Sequence, residues 1–306
     1  MATQRPTTRR GFLGVAAGVL ASGCVDAAAG VESGESVSVL AAGSLQQTFA
    51  EGVADAVTPR VAVEAHGSVA AARLAASGKR DPDLLALADT DLFGTVVDAR
   101  WHAEFATNAL VVAYDPDSAG GRRVRDADRW FEPVLAGEAT LGRTDPHLDP
   151  LGYRTLFVLS LSADYYDRPD LRERLVAPDQ VYPETGLLSR LETGAVDAAV
   201  VYRSMAVERG YDYRDLPAAV DLSDPARDDA YRRASTTLSD GTTVRGEHVA
   251  YGAVARSDDA ATGAVFDALV GGDALAARGF GVPDALPTFS GDVPRRYQGD
   301  GTRAPA

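Results

Sequence analysis

Cysteine occurs once in the 306 residues, at Cys24, so the chain makes no internal disulfide and holds no cysteine-based metal cluster. Lysine also occurs once, at Lys79, and the net charge is −14. Such a chain lacks the basic stripe that nucleic acid requires, and no nucleic-acid partner is expected. Histidine is scarce: His66, His102, His147 and His248 stand in no recognisable triad context. The stretch Ala42-Gly43-Ser44-Leu45-Gln46 lacks the second glycine of the G-x-S-x-G nucleophile elbow, which argues against a serine hydrolase and for a protein that is not an enzyme. The N-terminal apolar run, Gly11 to Leu20, is too short to cross a bilayer. There is no internal repeat.

What the N-terminus does carry is Arg9-Arg10-Gly11-Phe12-Leu13, that apolar run, and then Leu20-Ala21-Ser22-Gly23-Cys24. A charged start, a short apolar segment and small residues before a cut site describe an export signal over residues 1–23, and the paired arginines indicate the twin-arginine route. Cys24 sits where a lipobox ends, so lipid attachment to its sulfur is expected, with residues 24–35 as a tether. The protein is then exported and held on the extracellular side of the membrane. Cleavage removes Arg5, Arg9 and Arg10 but no acid and takes the net charge to −17. A nearly lysine-free, strongly acidic exported chain suits a high-salt habitat, where screening tolerates self-repulsion.

From Ser36 on, short β-rich runs alternate with helix-length amphipathic ones, which predicts an α/β fold with mostly parallel sheets and ligands at the carboxyl ends of strands. Hydrophobic residues make up 45% of the chain, enough for two lobes. The expected divisions are 36–113 for the first part of lobe 1, 114–202 for lobe 2, 203–290 for the return to lobe 1 with C-terminal helices, and a fraying tail over 291–306. Ser44 and Ser68 each follow a strand and a glycine and precede a helix. Ser44 with Gln47 makes an S-x-x-Q capping box. Taken singly, both serines read as N-caps; as a pair facing one gap, they read as an oxyanion pocket. The Asp89-Thr90-Asp91 loop reads as a helix cap and a solvated side chain. Asp149 before Pro150 reads as an N-cap, Glu184 as a first-turn partner of the helix dipole, and Tyr202 as core. His66 could approach the pocket but reads as packing locally. Asp145, His147 and Asp149 could together take a divalent cation.

Certain stretches, in order, resemble the substrate-binding proteins of molybdate and tungstate ABC importers, most closely the archaeal type. They are Ala42-Gly43-Ser44-Leu45, His66-Gly67-Ser68-Val69, Phe105-Ala106-Thr107-Asn108, Asp149-Pro150 with Gly152-Tyr153-Arg154, Tyr182-Pro183-Glu184, and residues 191–197 through to Tyr202-Arg203-Ser204. Where the family carries Asp-Tyr, this chain has Asp197-Ala198. The resemblance implies a type II periplasmic-binding-protein fold, two α/β lobes joined by crossover strands with the ligand cleft between them. It further implies oxyanion contacts from Ser44, Ser68 and Tyr202, carboxylates Asp149 and Glu184 bonded directly to molybdenum or tungsten, no cofactor, and a monomer that delivers ligand to a membrane permease and its ATPase. A binder of another tetrahedral oxyanion such as sulfate, or a divalent-cation-binding surface lipoprotein, is the alternative.

Overall fold

A computed structural model describes residues 35–176 and 180–297. The expected signal segment 1–23, Cys24, the tether up to residue 34 and the tail from residue 298 lie outside the described residues.

Strands β1 (Ser36–Ala42), β2 (Arg60–His66) and β3 (Leu84–Leu87) are parallel neighbours with β1 in the middle. Strand β4 (Trp101–Asn108) shares their sheet, whereas β5 (Leu110–Tyr114) belongs to a second one. That sheet also holds β6 (Leu141–Thr144), β7 (Val181–Tyr182), β8 (Ala198–Tyr202) and β9 (Tyr213–Asp215), in the order β7-β6-β8-β5-β9. Here β6 runs parallel to both β7 and β8. A hairpin of β10 (Ser235–Thr237) and β11 (Thr243–Arg245) turns through Ser239-Asp240-Gly241. Then β12 (Val249–Ala255) and β13 (Thr288–Gly291) complete the first sheet, β13-β4-β12-β3-β1-β2. Strands β3, β5, β8 and β12 are buried along their whole length, and their unbroken apolar sequences are what strands covered on both faces require.

The consequence for function is geometric. Each sheet has three adjacent parallel strands whose carboxyl ends share one edge: β1, β2 and β3 in the first, β6, β7 and β8 in the second. The segments at those ends carry Ser44, Ser68 and Asp89 on one side, and Asp149, Glu184 and, as the last residue of β8, Tyr202 on the other.

Several expectations are corrected. The chain passes from one sheet to the other at Ala109, between β4 and β5, ahead of the expected division at residue 113. Strand β8 stays inside the second sheet and β9 still belongs to it, so that lobe runs past Tyr202 to Asp215. The return passes through residues 216–222, where Asp221 C=O accepts from Leu110 N–H (2.9 Å) and Leu222 C=O from Val249 N–H (2.8 Å). Two short helices open the second lobe, Ala119–Asp126 and Glu132–Leu135, the second restarting with Pro133 in its first turn, which cannot donate inside a continuing helix. Within the tail expected to fray from residue 291, the described part is held: β13 pairs with β4 through Gly291, and Tyr297 packs on Trp101 (ring centroids 4.9 Å) and Phe266 (4.7 Å). Buried aromatic contacts outweigh a Pro/Gly/Arg-rich composition there.

Candidate functional site

The helical segment after β1 spans residues 43–56; its first turn is a tight 3₁₀ turn and Phe49–Val53 a wide π turn. Its N-cap is Ala42, and the N-cap of the Ser68–Ala76 helix is Gly67; neither uses a side chain. Ser68 is therefore the first and Ser44 the second residue of its helix, and the S-x-x-Q capping box does not form. Gln47 Nε2 instead donates to Glu51 Oε2 (3.1 Å) and Glu208 C=O (3.3 Å). Freed from capping, the serine hydroxyls are buried and engaged elsewhere. Ser68 Oγ accepts from Ala88 N–H (2.9 Å), and Ser44 Oγ accepts from Tyr251 O–H (3.0 Å).

Opposite, Asp149 caps the Pro150–Tyr165 helix as expected, Oδ1 accepting from Leu151 N–H at 3.0 Å, with Pro150 in the first turn. Its Oδ2 is buried and, among the described residues, has no close hydrogen bond, the Thr144 hydroxyl lying near the carboxyl. Glu184 opens the Glu184–Glu192 helix, yet its carboxylate reaches across the cleft to a different helix start, accepting from Gly43 N–H (3.1 Å) and Ser44 N–H (3.2 Å). The two acids are 2% and 3% exposed. Burial pushes the Asp149 carboxyl up to about 6, against the Thr144 hydroxyl, the Leu151 N–H and the Arg154 charge, which lower it. Burial and then the Asp149 charge push Glu184 well above the carboxylate range, against the donors on Gly43 and Ser44. Two buried carboxyls thus repel each other across the site.

Tyr202 is fully buried beside both acids, and its phenol accepts from Arg154 Nη1 at 3.0 Å. Arg154 also donates to Ala88 C=O and faces Asp89 at 3.6 Å, while Tyr153 O–H donates to Asp89. These contacts tie the second lobe to the first, as does the Ala70 N–H bond to Leu148 C=O (3.1 Å). Asp89 is therefore a buried inter-lobe partner that also accepts from Asp91 N–H (3.0 Å), while Asp91 is exposed. The pairing of Asp89 with Tyr153 and Arg154 is invisible in the sequence because nothing in spacing links a strand end to a helix more than 60 residues later. A cavity of about 520 Å³ bordered by Gly43, Ser44, Gln47, Thr185 and Glu208 reaches Glu184 from outside.

The cation trio does not assemble. Asp145 Oδ1 accepts from His147 N–H (2.8 Å) and His147 Nδ1 from Ser239 N–H (3.1 Å), so both serve the loop. Among the described residues, the three acidic or imidazole groups whose ligand atoms converge within 4.8 Å are Asp89, Asp91 and Glu247. His66 packs locally on Glu64 (2.8 Å).

Two α/β lobes with facing strand ends and a polar, inter-lobe site define a solute-binding protein. The chain belongs to the bacterial extracellular solute-binding protein family, whose model matches residues 37–262. This is a family of binding proteins and not of enzymes. A Haloferax volcanii protein described as a candidate ABC transporter molybdenum-binding protein is 51% identical over 94% of this chain and 96% of its own length. The molybdate/tungstate-binding protein of Pyrococcus abyssi is 29% identical over 64% of this chain and 65% of its own. In fold the chain is similar to the periplasmic molybdate-binding protein of Azotobacter vinelandii (TM-score 0.57, 14% identity, 81% of this chain and 99% of that one). It is also similar to the sulfate-binding protein of Mycobacterium tuberculosis (TM-score 0.54, 12% identity, 82% and 88%). The fold is of the type II periplasmic-binding class, and no described helix is long and apolar enough to cross a membrane.

Proposed function

We propose that this chain is the extracellular binding component of an ABC importer for tungstate or molybdate, gripping the oxyanion between its lobes and passing it to a membrane permease driven by an ATPase. The observation that carries this reading is the Asp149–Glu184 pair, buried, mutually repelling and with one Asp149 oxygen lacking a close hydrogen bond among the described residues. Two carboxylates near an anion are wrong for sulfate or phosphate: unit charges about 4 Å apart repel by roughly 4 kcal/mol in a partly desolvated cleft, and a small central atom accepts no further oxygens. Molybdenum(VI) and tungsten(VI) can expand beyond four oxygens, so hard carboxylate donors from Asp149 and Glu184 bond the metal and turn the repulsion into attraction. Ser44, Ser68, Tyr202 and backbone N–H groups then donate to the oxo groups. The names of the Haloferax and Pyrococcus relatives point the same way.

Calorimetric titration with tungstate, molybdate, sulfate, calcium and zinc in parallel tests this. The expected result is tight binding of the first two and none of sulfate. Equal binding of sulfate, or heat with the cations alone, overturns it.

Within the same reading, a lipid on Cys24 holds the monomer at the outer membrane surface. Cys24→Ser is expected to move the protein from the membrane fraction into the medium; retention in the membrane fraction refutes the anchor.

A further inference from the structure

We propose that Asn108 and Tyr251 are positioning residues, forming a one-way hydrogen-bond chain that fixes Ser44 as a donor toward the bound oxyanion. This rests on the oxyanion reading above. The direction of the chain follows from valence. Asn108 Oδ1 accepts from the N–H groups of Ala109 (2.9 Å) and Ser204 (3.4 Å), which sets the amide so that Nδ2 points the other way. Its two hydrogens go to Ser204 Oγ (2.8 Å) and the Tyr251 phenol oxygen (3.3 Å). Having accepted, Tyr251 spends its single hydrogen on Ser44 Oγ at 3.0 Å. Ser44 Oγ has then accepted in turn, and its own hydrogen turns to the Glu184 side of the cleft.

All three residues are buried, at 3%, 0% and 1% exposure, so no bulk water competes for these bonds. Without Tyr251 as donor, the serine could rotate, give its hydrogen to the phenol side and present lone pairs to an oxo group, which would repel. Removing that wrong rotamer in advance is preorganisation: the hydroxyl hydrogen is held on the Glu184 side of the cleft, facing away from the phenol, before the ligand arrives. Arg154 treats Tyr202 alike from the other lobe, donating to its phenol at 3.0 Å and leaving that hydrogen to point outward. Two hydroxyls, one per lobe, are thus set as donors, which favours a ligand whose oxygens all accept.

The test is a double-mutant cycle of wild type, Tyr251→Phe, Ser44→Ala and the double variant, titrated with tungstate below every melting temperature. Tyr251→Phe is expected to weaken binding about fivefold and Ser44→Ala about tenfold. The double variant is expected to bind no more weakly than Ser44→Ala, because Tyr251 acts only through the serine. Asn108→Asp, isosteric but an acceptor, captures the Tyr251 hydrogen and turns the chain round; its loss should match Tyr251→Phe and vanish in the Ser44→Ala background. It carries the test if Tyr251→Phe does not fold. A packing role alone would lower affinity equally in both backgrounds, and such additive losses, or wild-type affinity in Tyr251→Phe and Asn108→Asp, overturn the assignment while leaving the functional reading intact. Absence of binding in wild type itself overturns both.

Discussion

Glu184→Gln is expected to lose tungstate affinity by about a hundredfold or more and, at the same time, to raise the melting temperature of the ligand-free protein at pH 8. The first effect follows from the proposed coordination: an amide oxygen is a poorer donor to a high-valent metal than a carboxylate and brings no charge. The second follows from burial. Glu184 and Asp149 are raised in the folded protein, so between their unfolded and folded values the native state holds more protons than the unfolded one. Stability therefore falls as pH rises from about 4 through those folded values and is flat above them. For Asp149, raised from 3.8 to about 6, this costs on the order of 2–3 kcal/mol at neutral pH. Asp149→Asn isolates that term, because asparagine still caps Leu151 N–H. Thermal scans from pH 4.5 to 8 should show wild-type stability declining with pH and both variants declining less. Variants that melt below wild type at pH 8, or bind tungstate within threefold of it, would remove the basis for the acidic site.

The contrast between what the sequence revealed and what it hid has physical causes. The strand ends at Ser44, Ser68, Asp149, Glu184 and Tyr202 were legible because a β-rich run, a turn and a helix start are local patterns. The capping roles of the two serines were misread because cap preference is a statement about isolated helices; here Glu184, 140 residues away, supplies the partner for the Ser44 N–H. Asn108 and Tyr251 meet only because β12 inserts antiparallel between β3 and β4, pairing Tyr251 with Ala106. No period or spacing announces such an insertion. The bend at Ala109 was hidden for another reason: it carries no glycine or proline, and the polar pair Thr107-Asn108 before it does not by itself announce a change of sheet.

Gly67→Ala is expected to leave each lobe folded but to hold the lobes apart. Its φ is −58°, ordinary for any residue, so the substitution brings no left-handed strain and costs only the small difference between glycine and alanine at an N-cap. What it meets is the other lobe: a Cβ there would lie 2.6 Å from Leu148 O and 2.9 Å from Asp149 Cβ. The first is backbone, in the loop between β6 and the Pro150–Tyr165 helix, and cannot yield unless the second lobe moves with it. Relief of such a clash takes a displacement of about half an ångström or more, applied beside one of the two acids proposed to coordinate the metal. Gly43→Ala would press on the other acid, its Cβ 2.8 Å from Glu184 Oε2, but that side-chain end can partly give way. The expected order of tungstate affinity is therefore wild type, then Gly43→Ala, then Gly67→Ala, the last weaker by about thirtyfold or more. Gly94→Ala, whose Cβ would meet nothing within 4 Å, serves as the control and should bind as wild type. In solution scattering, tungstate should shrink the radius of gyration of wild type and of Gly94→Ala but not of Gly67→Ala. Wild-type affinity in Gly67→Ala would mean that the acids reach the ligand without the close approach of Gly67 to Leu148.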